Sequence, residues 1–207
     1  MNNVKNGTDG VIGLTGGIAC GKSEVASILR GKGVPVLDTD AVAHALLQPG
    51  QAVFDAVIAA FGKMYLTDEG TVNRKALGTL VFGDDDARKK LNGLMHPEIY
   101  RQSAAWVIEQ RATHPWVVVM IPLLFENGAE HRFEKIVVVA ADEAVMLKRM
   151  AARGWTEEAS QARMRAQWPV AEKVRRADAV IWNNGDLEAL NEATWKAWRM
   201  ITGTAPV

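Results

Sequence analysis

The sequence predicts a three-layer α/β fold, with a parallel five-stranded sheet between helices, a helical insertion and a late basic segment. Three observations carry that prediction. Short apolar runs alternate with amphipathic stretches, which is the βαβ rhythm. The runs are continuous rather than alternating, as in strands buried on both faces. The first run leads straight into a glycine-rich turn and then a helix-forming stretch.

Taken in order, residues 11–15 form the first strand, followed by the glycine turn, a helix over 22–32 and a second strand over 34–37. Residues 116–121 and 135–140 are β-branched runs with polar boundaries and form strands three and four. Residues 179–182 form the fifth, ended by the turn signal Asn183-Asn184-Gly185.

Between strands two and three the period becomes helical: Val53, Val57, Ile58 and Phe61, then Leu77, Leu80 and Val81, then Ile99, Trp106, Val107 and Ile108. The organisation expected is a core of residues 10–48 and 114–207 with a helical insertion over 49–113. Within the core, residues 150–177 are arginine-rich and form a candidate lid, with Gly154 as its hinge. Residues 187–201 form a closing amphipathic helix whose Leu190, Trp195 and Trp198 pack inward. In His96-Pro97, the proline suits the first position of a helix.

The chain has 207 residues, and 24 basic residues balance 24 acidic ones. Zero net charge argues against wrapping duplex nucleic acid, where many phosphates must be neutralised. One cysteine, Cys20, cannot form an internal disulfide and fits a reducing compartment. The polar start has no apolar signal core, and the longest apolar runs are too short to span a bilayer. The expectation is a soluble, cytoplasmic protein without membrane or nucleic-acid partners, a monomer or weak homo-oligomer.

Gly16-Gly17-Ile18-Ala19-Cys20-Gly21-Lys22-Ser23 fits the phosphate-loop pattern G-x-x-x-x-G-K-[ST] between a strand and a helix. Glycines let backbone amides turn inward around phosphate oxygens, and the helix N-terminus adds partial positive charge. Lys22 reaches the β- and γ-phosphates, and the Ser23 hydroxyl ligates Mg²⁺. The ATP-binding set is Gly17, Ile18, Ala19, Cys20, Gly21, Lys22, Ser23 and Glu24, with Arg149 from later in the chain. A phosphate loop alone gives nucleotide binding and leaves the reaction open.

Asp38-Thr39-Asp40 puts two carboxylates at the carboxyl end of the second strand, the edge where parallel sheets bind ligands. Phosphoryl transfer to an alcohol needs a metal anchor and a carboxylate to accept the hydroxyl proton. Asp40 is assigned to the acceptor hydroxyl and Asp38 to the metal's water shell; the reverse assignment, or Asp40 as a helix N-cap, is also open. Strand three ends in Pro122-Leu123-Leu124-Phe125-Glu126, with no aspartate directly after its apolar run, which favours a small-molecule kinase over a switch or motor. Arg149 and Arg153 lie four apart on one helix face and suit charge stabilisation over a triphosphate.

Together these stretches resemble dephospho-CoA kinase. The likeness runs through the phosphate loop, Asp38-Thr39-Asp40 with His44, His96-Pro97, Pro122-Leu123-Leu124-Phe125-Glu126, Arg149 with Arg153, Arg163 with Gln167, and Asn183 with Gly185. It implies a P-loop kinase core, a helical CoA-binding part, a lid, and ATP-dependent phosphorylation of the ribose 3′-hydroxyl of dephospho-CoA. It also implies Asp40 as base, with Lys22 and Arg149 also catalytic, and Asn183 near adenine. Thr15, Asp40, His44, His96 and Leu123 then line the substrate side. Glu126 either shapes the site or caps the Asn127-Gly128 turn.

Ala19-Cys20 replaces the usual Gly-Ser, and Glu24 the usual Thr. Ala19 argues against a positive φ there, because only glycine adopts it cheaply. Cys20, near a helix N-terminus, is read either as a thiol with increased thiolate character or, by preference, as a small filler.

Overall fold

The computed structural model describes residues 8–204. In chain order, β1 (Val11–Gly16) and α1 (Lys22–Arg30) lead to β2 (Val36–Asp38). Four helices follow: α2 (Thr39–Leu46), α3 (Ala52–Phe61), α4 (Arg74–Gly83) and α5 (Asp85–Arg111). Then come β3 (Val117–Met120), β4 (Lys135–Ala140), α6 (Glu143–Ala151), α7 (Glu157–Arg165), α8 (Val170–Arg175), β5 (Ala179–Trp182) and α9 (Leu187–Thr202).

The strands form one parallel sheet in the order β2-β3-β1-β4-β5. β1 lies central, pairing Ile12 with Val118 of β3 and Leu14 with Val137 of β4. Every residue of β1 is buried, as its unbroken apolar run requires. Ile12, Leu14 and Val139 pack with Val25 and Leu29 of α1 and with Leu190 and Trp198 of α9. A second cluster holds Leu124, Phe125, Ile136 and Val138.

All five strands appear where expected, with small shifts at β2. Gly33 turns the chain at φ 77°, and the Val34 amide closes back on the Leu29 carbonyl. That amide belongs to the end of α1, so the strand starts at Val36 and the helix stops at Arg30.

The chain divides into two compact units. One runs up to Leu37 and resumes at Glu109; the other is Asp38–Ile108. The division falls earlier than the expected residue 49. Leu46 and Leu47, at the end of α2, bury themselves with Val53, Val57, Leu77 and Met95 of the helical unit.

Two expectations are corrected here. Helix α2 begins at Thr39, and Asp38 is its N-cap: Oδ1 accepts the Asp40 amide at 2.9 Å. Asp40, considered as a cap, instead sits inside the first turn. Pro97 is not at a helix start. α5 begins at Asp85, behind a cap in which Asp84 Oδ1 accepts from the amides of Asp86 and Ala87, and runs through Pro97. Pro97 has no amide to give the carbonyl four residues back. That residue is Gly93, where no side chain crowds the turn.

Candidate active site

The phosphate loop is shaped by two glycines that accept no side chain. At Gly16 (φ 151°) a Cβ would lie 2.1 Å from the Val139 carbonyl oxygen of the neighbouring strand. At Gly21 (φ 96°) it would lie 2.1 Å from Nδ2 of Asn183. Gly21 is also the N-cap of α1, and no side chain caps that helix, so the positive end of its dipole faces the loop unscreened by a capping group.

Two side chains from other elements hold the loop's backbone. Asn183, buried just past β5, donates from Nδ2 to the Cys20 carbonyl at 2.9 Å. Arg149 of α6 donates to Asn183 Oδ1 at 3.1 Å and to the Ala19 carbonyl at 3.4 Å. Lys22 folds over the loop, with Nζ 3.1 Å from the Gly16 carbonyl and 2.8 Å from that of Gly17. The structure thus gathers Lys22, Arg149 and Asn183 at one loop although they lie far apart in sequence.

Ala19 has φ 57°, the one positive value among described non-glycine residues. The sequence argument against a left-handed residue here is therefore overturned. The carbonyls on which Arg149 and Asn183 close fix the turn and impose its strain. Cys20 is fully buried, its sulfur 3.3 Å from that of Met146. Burial pushes its pKa up, outweighing the opposite pull of Lys22 and Arg149. It is packing material, in line with the preferred reading.

Gly17 and Ile18 open onto a cavity of about 890 Å³. Its other walls come from Asp142 and Met146 on the α6 side, Trp168 and Val170 around the start of α8, and Trp182 of β5. The basic segment thus forms one wall of the space beside the phosphate loop. Within that segment Arg163 stacks on Trp155 at 4.4 Å, and Arg153 is exposed.

Thr15 is fully buried, and its hydroxyl donates to the Pro122 carbonyl at 3.2 Å. This hydrogen bond ties the end of β1 to the loop after β3. Leu123 is 37% exposed, unlike the neighbouring Leu124 and Phe125, which are buried.

In the helical unit, His44 Nδ1 lies 2.7 Å from an Arg74 guanidinium nitrogen. With Leu47, Gln48, Thr71 and Val72 they line a cavity of about 220 Å³. His96 packs against Tyr100 with ring centroids 5.6 Å apart, and burial lowers its pKa. Asp40 is exposed.

No group of three or more His, Cys, Asp or Glu that could hold a metal occurs among the described residues. That donor set does not build a protein cage for an ion.

The clearest site feature missed in sequence is the Glu126–Lys173 pair. Lys173 is fully buried and its Nζ lies 2.7 Å from Glu126 Oε1. In the sequence it lies within the basic segment beside Glu172, whose partner in the structure is Arg175. The signal was its spacing: position 173 shares a helical face with Val170 and Val174.

The family model for dephospho-CoA kinase matches residues 10–189. The chain belongs to the dephospho-CoA kinase family. Dephospho-CoA kinase of Geobacillus kaustophilus is 45% identical over 179 residues, covering 86% of this chain and 89% of the relative. That of Carboxydothermus hydrogenoformans is 40% identical, covering 91% and 96%. Among solved structures, a Thermus thermophilus protein superposes with a TM-score of 0.80 at 36% identity, covering 95% of this chain and all of that one. Dephospho-CoA kinase from Campylobacter jejuni superposes with a TM-score of 0.68 at 28% identity, covering 94% and 98%. The chain is thus a kinase with the P-loop kinase fold of its family, and no described helix is long and apolar enough to cross a membrane.

Proposed function

We propose that this member of the dephospho-CoA kinase family transfers the γ-phosphoryl group of ATP to the ribose 3′-hydroxyl of dephospho-CoA. The products are coenzyme A and ADP, and the reaction is the last step of coenzyme A synthesis. The observation that carries the reading is the clamped phosphate loop, braced by Arg149 and Asn183 and opening on the large cavity. A loop already held in its turned conformation pays no ordering cost when a triphosphate arrives.

In this reading Lys22 leaves the Gly16 and Gly17 carbonyls for the β- and γ-phosphate oxygens. Arg149 spreads positive charge over the transferring group. Asp40 accepts the proton of the attacking hydroxyl as the new O–P bond forms and the bond to ADP breaks. Asp38 has one carboxylate oxygen committed to its cap, and the other is left for the metal's water shell. Ser23 would hold the Mg²⁺ that accompanies ATP, and the ion would supply charge neutralisation of the phosphates.

The helical unit Asp38–Ile108 takes the pantetheine-bearing part of the acceptor, with His44 and His96 among its contacts and Leu123 on the substrate side. Residues 150–177 act as a lid that excludes water from the triphosphate. The enzyme works in the cytoplasm as a monomer or weak homo-oligomer.

The test is incubation with dephospho-CoA and ATP·Mg²⁺ and identification of the product by mass. One added phosphate on the ribose 3′-oxygen is expected. Phosphorylation of nucleoside monophosphates with dephospho-CoA untouched would overturn the assignment.

A further inference from the structure

We propose that Glu126 and Lys173 are positioning residues for the nucleotide, holding the α8 wall at a set distance from the phosphate loop; this rests on the nucleotide occupying the 890 Å³ cavity. The inference starts from one carboxylate oxygen. Glu126, at the end of the loop after β3, uses Oε1 twice: it accepts the Trp168 backbone amide at 2.8 Å and faces Lys173 Nζ at 2.7 Å. Phe125, beside it in sequence, stacks on the Trp168 ring at 6.1 Å with planes 12° apart. Arg176 sits over that ring at 4.7 Å. Trp168, Val170 and Val174 in turn line the cavity with Gly17 and Ile18. The wall approaches the loop closely, since a Cβ on Gly17 would come within 2.6 Å of Val170.

The chemistry of the pair argues against a purely stabilising role. Lys173 Nζ is held by Glu126 Oε1 at ion-pair distance, and no second acceptor reaches its ammonium. Glu126 Oε2 and the nearby Gln167 Oε1 are likewise buried without hydrogen-bond partners. Burying two charges costs several kcal/mol each, which their attraction offsets only with well-satisfied geometry. Replacing a buried ion pair by apolar side chains of similar size is often neutral or stabilising. What the charged pair adds is direction: it ties the start of α8 to a loop carried by the rigid sheet. A wall tied this way keeps the cavity at the width of its ligand, so the binding site is formed before the ligand arrives.

The test compares the parent with Glu126→Gln, Lys173→Met, the double variant and Lys173→Arg. Calorimetry measures affinity for a non-hydrolysable ATP analogue, steady-state kinetics give KM for ATP and for dephospho-CoA, and circular dichroism reports folding. Each charge-removing single variant is expected to weaken analogue binding and raise the ATP KM about tenfold, a change of about 1.4 kcal/mol. The dephospho-CoA KM stays within twofold, and Lys173→Arg recovers most of the affinity. The double variant is expected to lose no more than the worse single one, because both act on one tether.

A folded Glu126→Gln protein with analogue affinity within twofold of the parent overturns the proposal. So does a loss shared equally by both substrates. Should Lys173→Met fail to fold, Glu126→Gln, which keeps an acceptor for the Trp168 amide, decides alone. Binding of the analogue does not need the acceptor substrate. A parent that binds it and leaves dephospho-CoA unphosphorylated refutes the functional assignment without touching this inference.

Discussion

Asn183 and Arg149 meet at 3.1 Å, and between them they hold the two carbonyls, of Cys20 and Ala19, that turn the phosphate loop. One residue lies past β5 and the other on α6, so the loop that follows β1 is fixed by two later parts of the chain.

Asn183→Ala is expected to destabilise the protein by about 1–3 kcal/mol, because it leaves the Cys20 carbonyl and the Arg149 guanidinium short of a partner in a buried place. The ATP KM should rise with it. Denaturant midpoints and steady-state kinetics check both. An unchanged midpoint would show that the loop holds its shape without the clamp.

Ala19 and Gly21 respond in opposite ways to substitution. Ala19→Gly removes left-handed strain but frees the unfolded chain, so stability should move by less than about 1 kcal/mol. Gly21→Ala drives a methyl into Asn183 at a φ of 96° and should abolish nucleotide binding. Thermal melts with and without an ATP analogue distinguish the two.

The carboxylates flanking Thr39 are separable. Asp38→Asn keeps an oxygen for the Asp40 amide and should leave stability intact, whereas Asp38→Ala should cost about 1 kcal/mol through loss of the cap. Asp40→Asn should leave stability near the parent and lower turnover by about a hundredfold or more. Near-normal turnover in a folded Asp40→Asn variant would remove Asp40 from the base role.

Lys22→Ala should barely change stability, since its ammonium rests only partly buried on loop carbonyls. It should lower kcat/KM for ATP by about a hundredfold or more, the scale of a lost charge contact to the transferring group. Equal kinetics in variant and parent would contradict the assignment of the loop.

His96 gives stability an acid-side slope. Burial lowers its pKa in the folded state, below the 6.5 of a free imidazole. The unfolded chain therefore binds the proton more readily, and stability is lost as pH falls through 6.5, levelling off below the folded-state value. Melting temperatures from pH 8 to pH 5 should fall less steeply in His96→Gln than in the parent. Parallel curves would show that another group carries the acid sensitivity.

The sequence alone determined what depends on local pattern. Continuous β-branched runs marked all five strands, because strands covered on both faces have no polar side to show. The glycine and lysine spacing marked the phosphate loop, since the backbone path around an anion tolerates few residue types. Only the tertiary structure decided which charges are buried and which backbone strain is held. Lys173 and Glu172 are neighbours of similar polarity; one is enclosed with Glu126 and the other pairs with Arg175, because packing against the loop after β3 selects one face of α8. The left-handed Ala19, which residue preference argues against, is held by side chains at Arg149 and Asn183 that no local window contains. Pro97 lies mid-helix for a similar reason: a long helix with flanking turns intact absorbs one missing hydrogen bond, a balance that dipeptide preference does not record.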